Sequence, residues 1–282
     1  MKLFKQAAAL QLYLSEDNLP NLTKGHIPTM GALHKGHLSL LELSKKQCDI
    51  SICSIFVNPT QFNNKKDFDN YPISIENDIS LLENAGCDIL FLPKAVEIYP
   101  HGTENLLHYY LGNLENVLEG RYRPGHFQGV CQVVHNLLGI ISPDFLFLGQ
   151  KDYQQCMVIK RLLEIMNSPI QLIFGETLRE NSGLAMSSRN QRLSEIQKIQ
   201  AVAIYQMLTY IKQHIKTVPP NELCNYATQY LLSNGFNKVD YVAIAEPSTL
   251  SPVKGVDNKN AVALIAAFIG EVRLIDNLIL NE

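Results

Sequence analysis

Several signatures of common protein classes are missing from this 282-residue sequence. No apolar run approaches the length of about 20 residues that a membrane-spanning helix needs, so we expect no transmembrane segment. The six cysteines form no CxxC pair. In a chain of this length they are expected to be free thiols in a reducing compartment, and a disulfide framework is disfavoured. The sequence also contains no internal repeat and no low-complexity tract.

Neither sign of charge dominates the composition. The chain has 24 Lys and Arg against 27 Asp and Glu, a net charge of −3. This balance argues against a dedicated nucleic-acid binder and against a binder of anionic membranes. Gln6 and Gln11 interrupt the first apolar run, and no small-residue cleavage site follows it. We therefore expect an amphipathic first helix reaching Leu14 instead of a signal peptide, and a cytoplasmic protein.

The two most familiar nucleotide-binding motifs, GxxxxGK[ST] and GxGxxG, are absent as well. In their place, residues 28–38 (PTMGALHKGHL) join a short strand to an apolar helical pattern. Gly31 and Gly36 let the backbone approach a ligand closely, and the N-terminus of the following helix favours phosphate. His34 and His37 can both face that position and donate hydrogen bonds to phosphoryl oxygens. Alternatively, the two histidines could be ligands of a metal ion, but no third His or Cys lies nearby to complete such a site.

The first 175 residues alternate between strand-like and helix-like patterns. Short apolar runs predict strands at 27–30, 49–57, 88–92, 144–148 and 170–174, and helical patterns follow at 74–85, 129–140 and 153–166. Residues 120–127 are predicted to form a loop. This alternation indicates a doubly wound parallel sheet, with ligands at the carboxyl ends of its strands. The polar motifs at 28–37, 58–62 and 149–152 all follow predicted strands.

The pattern changes after residue 175. Helix-like segments at 194–216 and 221–234 precede strand-like segments at 238–245, 261–268 and 271–280. We predict two domains, a catalytic α/β domain over 1–175 and a smaller α+β domain with a mostly antiparallel sheet over 176–282.

Uncharged and charged side chains near the predicted strand ends suggest a substrate site. Gln61 and Gln155 can hydrogen-bond a hydroxyl or a carboxylate without fixing a charge, although either alone would be read as a solvated surface glutamine. Lys151 could bind a phosphate, and Asp152 could accept hydrogen bonds from ribose hydroxyls. The alternative is that this segment is an ordinary helix start, for which the sequence is common. The segment 186–190 (MSSRN) suits a polyphosphate, with a helix cap as the alternative.

Two further charged clusters are ambiguous. Arg121, Arg123 and His126 form a cationic loop that has the same two interpretations. Glu76 and Asp78 occupy a predicted helix start, where carboxylates are favoured by the helix dipole in any case. Asp78 is nevertheless the candidate ligand for Mg²⁺, which normally accompanies ATP.

Five ordered motifs resemble one family. PTMGALHKGHLSL, FVNPTQF, GRYRPGHFQGV, GQKDYQQ and GLAMSSRN are similar to segments of the pantothenate synthetase (pantoate–β-alanine ligase) family. The resemblance implies a Rossmann-like domain of the HIGH nucleotidyltransferase superfamily, a C-terminal lid domain and a homodimer. It also implies a reaction in which ATP and pantoate form pantoyl adenylate, and β-alanine then displaces AMP. No nucleophilic side chain is needed for this chemistry.

The same resemblance assigns roles by position. His37 corresponds to the proton donor, and Gln61 and Gln155 correspond to contacts with pantoate and β-alanine. The implied ATP contacts are Met30, Gly31, Ala32, Leu33, His34, Lys35, Gly36, His37, Gly149, Gln150, Lys151, Asp152, Leu178, Met186, Ser187, Ser188 and Arg189. The chain departs from the family pattern at Gln150, at Ser182 and at Ile73-Ser74.

Two other functions stay open at this point. A nucleotidyltransferase acting on a phosphorylated alcohol also uses a histidine pair here, but would need a phosphate pocket at Gln61 and Gln155. A nucleotide-sensing module without catalysis is disfavoured by the intact His34, His37 and Lys151.

Overall fold

A six-stranded parallel sheet forms the larger part of the molecule, in a computed structural model that describes residues 1–16, 19–62, 68–69, 71–104, 106–255 and 260–280. The strand order is β1-β4-β3-β2-β5-β6. The strands are β1 Lys2–Phe4, β2 Lys24–Thr29, β3 Ile50–Ile55, β4 Ile89–Phe91, β5 Phe145–Gly149 and β6 Gln171–Gly175. The predicted α/β fold class is confirmed.

Helices cover both faces of this sheet. They are α1 Ala7–Leu14, α2 Lys35–Gln47, α3 Ile75–Asn84, α4 Ala95–Ile98, α5 Glu119–Tyr122, α6 His126–Ile141 and α7 Tyr153–Ile165. Successive side chains of β3 point to opposite faces of the sheet, so this strand contributes to two hydrophobic cores. Ile50 and Ile52 belong to the core that includes α6 and α7, whereas Cys53 and Ile55 belong to the core beneath α2. All six residues of β3 are buried, which explains why its sequence is mostly apolar and contains no charged residue.

The strand order reverses direction at the centre of the sheet. From β2 the chain continues to β3 and β4 on one side, and β5 pairs with the opposite edge of β2. At such a switch point the following loops separate and leave a crevice at the carboxyl ends of the strands. The turn after β2 and the turn at Gln150–Asp152 after β5 therefore flank one crevice.

A three-stranded antiparallel sheet follows in the C-terminal part, built from β7 Lys238–Ala245, β8 Val262–Ile269 and β9 Val272–Ile279. Three helices accompany it, α8 Glu195–Ala201, α9 Ala203–His214 and α10 Pro220–Ser233. Ala263 and Ile265 of β8 belong to a core shared with α9 and α10, whereas Val262 and Leu264 join the core of the parallel sheet. The small sheet is therefore packed between its own helices and the first domain. The domain boundary after residue 175 stays a prediction.

Some local predictions were wrong. The predicted first helix contains a strand, because Lys2–Phe4 pairs with β4 and only Ala7–Leu14 is helical. The predicted loop at 120–127 includes the end of α5 and the start of α6. The single helical segment predicted at 194–216 is two helices, α8 and α9. The first of these misses involves a three-residue strand whose conformation is set by pairing with a strand distant in the sequence.

Candidate active site

The histidine pair forms the N-terminal cap of α2. His34 is the cap residue, and its Nδ1 accepts a hydrogen bond from the main-chain N–H of Gly36 at 3.1 Å. The N–H of His34 in turn donates to Nδ1 of His37 at 3.3 Å. The two ring centroids are 4.0 Å apart. A side chain at Gly36 would place its Cβ 3.0 Å from the His34 ring, so the glycine keeps the space that this arrangement needs.

These bonds set the protonation of both rings. A nitrogen that accepts a hydrogen bond carries no proton, so each neutral imidazole holds its proton on Nε2. Burial lowers the pKa of His34 to about 4, with a further decrease from the Lys151 charge. Burial also lowers the pKa of His37 to about 3, assisted by His34 and Lys151. At neutral pH both rings are therefore uncharged hydrogen-bond donors through Nε2–H.

Asp78 supports the turn between β2 and α2. Its carboxylate accepts hydrogen bonds from the N–H groups of Ala32 and Leu33, both at 2.8 Å, and from the Ser74 hydroxyl at 3.0 Å. Ala32 has a left-handed backbone conformation with φ of 49°, which this pair of bonds stabilises. Asp78 is fully buried. The predicted magnesium role is therefore not supported, because the carboxylate is committed to the main chain.

A second turn positions Gln61. Asn58 accepts hydrogen bonds from Thr60 and from the Tyr99 hydroxyl, and its Nδ2 donates to the carbonyl of Gly129 in α6. Any side chain at Gly129 would collide with the Thr60 carbonyl, since a Cβ would lie only 2.2 Å from it. Asn58 and Gly129 thus bind the Gln61 turn to α6, a role that sequence reasoning missed.

The cationic loop reaches the same turn. Nδ1 of His126 donates to the Gln61 carbonyl at 2.8 Å, and a guanidinium nitrogen of Arg123 lies 3.5 Å from that oxygen. Burial lowers the pKa of His126 to about 3, and the Arg123 charge lowers it further. His126 is therefore a neutral donor that fixes the main chain of Gln61.

These elements enclose one cavity of about 210 Å³ at the carboxyl ends of β2 and β5. It is lined by predicted site residues from four separate parts of the chain, together with neighbours such as Tyr71, Glu176 and Thr177. The predicted residues in this lining are Met30, His34, Gly36, His37, Gln61, Gly149, Lys151, Asp152, Gln155, Leu178, Met186, Ser187, Ser188 and Arg189. Motifs that are distant in sequence thus converge at the switch point.

Five of the predicted ATP contacts lie elsewhere. Gly31, Ala32 and Leu33 are buried beneath the turn, and Lys35 is exposed at the start of α2. The cavity lining includes the neighbours of Gln150 but not Gln150 itself.

One wall of the cavity is apolar, which the motif analysis did not predict. It is formed by four side chains of α6, namely Val130, Val133, Val134 and Leu137. They recur at helical spacing on one face of α6, so the amphipathic pattern of this helix was the available signal. A wall of this kind fits aliphatic substrate atoms.

A larger cavity of about 510 Å³ adjoins the first and separates it from the C-terminal sheet. Lys151, Asp152, Ser187 and Arg189 line both cavities. Ser187 caps the turn at Ser188–Arg192 by accepting a hydrogen bond from the N–H of Arg189 at 3.3 Å. The shared cationic and hydroxyl groups suit an extended polyanion that bridges the two spaces.

Within the described ranges, no three His, Cys, Asp or Glu side chains are grouped so that they could hold a metal ion. Asp152 and Glu176 are carboxylates of the smaller cavity. Among the helices of the described residues, none is both long enough and apolar enough to span a membrane.

Comparisons with known proteins agree with this arrangement. The family model for pantoate-beta-alanine ligase matches residues 2–279. A pantothenate synthetase from Cytophaga hutchinsonii is 44% identical over 274 residues, which cover 96% of each chain. One from Leptospira biflexa serovar Patoc is 42% identical over 282 residues, covering 99% of each chain.

Solved structures give the same result. The pantothenate synthetase from Thermus thermophilus superposes with a TM-score of 0.92 at 35% identity, over 100% of both chains. A pantoate-beta-alanine ligase from Francisella tularensis, solved with beta-gamma ATP and beta-alanine, has a TM-score of 0.84 at 36% identity. That match covers 99% of this chain and 97% of the other. Because the sequence match and the structural match both extend over nearly the whole chain, the protein belongs to the pantoate–β-alanine ligase family.

Proposed function

We propose that this enzyme uses ATP to condense pantoate with β-alanine through a pantoyl-adenylate intermediate. One observation carries the proposal. The neutral Nε2–H donors of His34 and His37, the cation of Lys151 and the amides of Gln61 and Gln155 belong to a single cavity. This set can bind a carboxylate substrate next to the phosphates of ATP.

In the first step, a pantoate carboxylate oxygen attacks the α-phosphorus of ATP. The new P–O bond forms as the bond to the β-phosphate oxygen breaks, and pyrophosphate leaves. Negative charge grows on the phosphoryl oxygens in the transition state. Preorganised N–H donors of His34 and His37 and the charge of Lys151 stabilise it without reorganisation.

In the second step, the amine of β-alanine attacks the acyl carbon of the adenylate. The C–N bond of pantothenate forms, the bond to the AMP oxygen breaks, and the amine loses a proton. The acyl adenylate must be protected from water between these steps. The C-terminal domain contributes residues to the larger cavity, and we propose that it closes over the site as a lid.

The apolar wall favours pantoate over a phosphorylated alcohol, the substrate of the alternative nucleotidyltransferase. Pantoate carries two methyl groups on a quaternary carbon, which Val130, Val133 and Val134 can bury. The nucleotidyltransferase alternative needs a phosphate pocket beside Gln61 and Gln155, and α6 presents aliphatic side chains there. The acyl side of the cavity therefore favours pantoate.

Magnesium accompanies ATP in this proposal. Mg²⁺ is usually held by substrate phosphates and by one or two carboxylates. Asp152 and Glu176 line the cavity and fit that requirement. When bound, the ion neutralises charge on the phosphates, while Lys151 and the histidines perform the alignment.

We also propose a cytoplasmic homodimer. The resemblance to the family supports the dimer, and the six free cysteines support a reducing compartment. Light scattering on the purified chain at several concentrations tests the first point, with a monomeric mass as the contradicting result.

Isotope exchange tests the reaction. With ATP, Mg²⁺ and pantoate present, labelled pyrophosphate should enter ATP in the absence of β-alanine. Omitting pantoate should abolish the exchange, and adding β-alanine should yield pantothenate and AMP. Exchange that required β-alanine would contradict the two-step mechanism.

A further inference from the structure

The C-terminal sheet holds the Lys151 turn by two direct hydrogen bonds. Nδ2 of Asn277, in β9, donates to the carbonyl of Gln150 at 2.9 Å and to the carbonyl of Lys151 at 2.8 Å. Asn277 is 3% exposed, so these bonds are shielded from water. One side-chain amide thus contacts two consecutive peptide groups of the turn at Gln150–Asp152.

Asn277 is itself fixed by its neighbours. Its main-chain N–H donates to the Asp276 carboxylate at 2.8 Å. Arg179 binds the same carboxylate through two nitrogens, at 2.6 and 3.1 Å, and its guanidinium lies 3.9 Å from the centre of the Tyr205 ring. Two-point binding of this type restricts orientation as well as distance. The amide of Asn277 therefore contacts the turn from a rigid support.

The same strand is attached to the first domain at a second point. Arg273 lies four residues before Asn277, so both side chains project from the same face of β9. Its guanidinium donates to both carboxylate oxygens of Glu119 at 2.7 Å and to Asp240 at 2.8 Å. Because Glu119 begins α5, this pair fixes β9 relative to the loop that carries Arg123. Side chains of β9 are thus hydrogen-bonded to the first domain at two points, Glu119 and the Lys151 turn.

We propose that Asn277 is a positioning residue for Lys151. The proposal rests on the function above, in which Lys151 binds the phosphates of ATP. By holding the two carbonyls, Asn277 sets the main chain from which the lysine reaches the shared edge of both cavities. A small displacement of such a group is costly, because misplacement by about 1 Å can reduce a rate by about 100-fold. The C-terminal domain thus contributes to alignment as well as to closure.

The kinetic test uses Asn277→Ala in the full chain. We expect a fall of roughly 10- to 100-fold in the rate of pantoate-dependent pyrophosphate exchange and a rise in the KM for ATP, with less than about a twofold change in the KM for pantoate. Asn277→Ser keeps one donor and should lie between Asn277→Ala and the wild type. Asn234→Ala is the matched control, because this amide also donates to a carbonyl, that of Tyr230 at 2.7 Å, away from both cavities.

A double-mutant cycle separates positioning from general structural damage. In a Lys151→Ala background, Asn277→Ala should reduce the remaining exchange rate by less than about twofold, because the group that it positions is gone. Equal losses in both backgrounds would overturn the proposal. So would equal increases in the KM for ATP and for pantoate.

Hydrogen–deuterium exchange gives an answer that does not require activity. In Asn277→Ala, or in Asn277→Ser if the first variant does not fold, amides of residues 149–153 should exchange at least about tenfold faster. Amides of residues 33–38 should be unchanged. Unchanged exchange at 149–153 would overturn the inference even if the wild type makes pantothenate. Absence of pantothenate formation by the wild type would instead contradict the proposed function.

Discussion

The main-chain N–H of His34 donates to Nδ1 of His37, and this bond both caps α2 and fixes the tautomer of His37. As a cap, it satisfies an N–H that α2 leaves without a partner. As part of the site, it forces the His37 proton onto Nε2. The predicted proton donor is therefore a neutral hydrogen-bond donor, which no motif could specify.

Removal of this donor should impair adenylation. We expect His37→Ala to reduce pyrophosphate exchange by about 10²- to 10³-fold, the usual effect of losing one preorganised donor to a developing oxyanion. Steady-state exchange and thermal unfolding should be measured together, with the exposed His108→Ala as control. A folded His37→Ala protein with wild-type turnover would remove His37 from the mechanism.

Substrate discrimination should depend on the two glutamines. Gln61→Ala and Gln155→Ala should raise the KM for pantoate by about tenfold or more while changing the KM for ATP less than about threefold. The fold should persist in Gln61→Ala, because His126 binds the main-chain carbonyl of Gln61 and not its side chain. Gln206→Ala, an exposed glutamine of α9, is the control. Parallel increases in both constants would assign the amides a structural role.

Asp78 should prove essential for stability and not for metal binding. Asp78→Ala removes an acceptor from two main-chain N–H groups, so we expect it to lower the free energy of unfolding by at least about 2 kcal/mol. Glu76→Ala, an exposed carboxylate in the first turn of the same helix, should have little effect. Raising Mg²⁺ should not restore activity to Asp78→Asn. Recovery at high Mg²⁺ would reinstate Asp78 as a ligand.

Buried His26 should make the protein less stable in mild acid. Its Nε2 is 2.9 Å from the Ser54 hydroxyl, and burial lowers its pKa to about 3. The unfolded chain binds a proton near about pH 6.5 and the folded chain does not, so stability falls as the pH decreases below that value. Between about pH 7 and pH 5 this histidine should cost about 2 kcal/mol of unfolding free energy.

Urea unfolding of the wild type and of His26→Gln at several pH values measures that difference. The variant should lose about 2 kcal/mol less than the wild type between about pH 7 and pH 5. Between about pH 7 and pH 8 the two proteins should change alike, because His26 is then neutral in the folded and the unfolded chain. Identical slopes in the acid range would contradict the assignment.

The sequence was informative where local patterns coincide with function. The end of β5 could be located because this buried strand is apolar and the turn after it is polar. β2 is mostly polar, and its end was indicated by the small-residue turn that precedes the apolar pattern of α2. The histidine pair and the two glutamines were selected because they follow predicted strand ends. Their presence in one cavity follows from parallel pairing, which brings the carboxyl ends of the strands to one edge.

Long-range contacts could not be read from the sequence. β1 has three residues and pairs with β4, so nothing nearby reveals it. Asp78 looked like an acidic helix start because its partners, Ala32 and Leu33, are 46 and 45 residues away. Asn277 is a polar residue in a strand, and its two acceptors lie in another domain. In each case the role of the residue depends on which main-chain groups the fold brings to it.

The contact between Asn277 and Lys151 has a consequence for the order of synthesis. The two residues are separated by 126 positions, and the amide belongs to the last strand of the small sheet. During translation the parallel sheet can assemble while this amide is still inside the ribosome. The turn at Gln150–Asp152 then lacks its two donors until β9 emerges. A nascent chain in which β9 has not yet emerged should therefore bind ATP poorly, and ATP binding should improve once β9 has paired with β8.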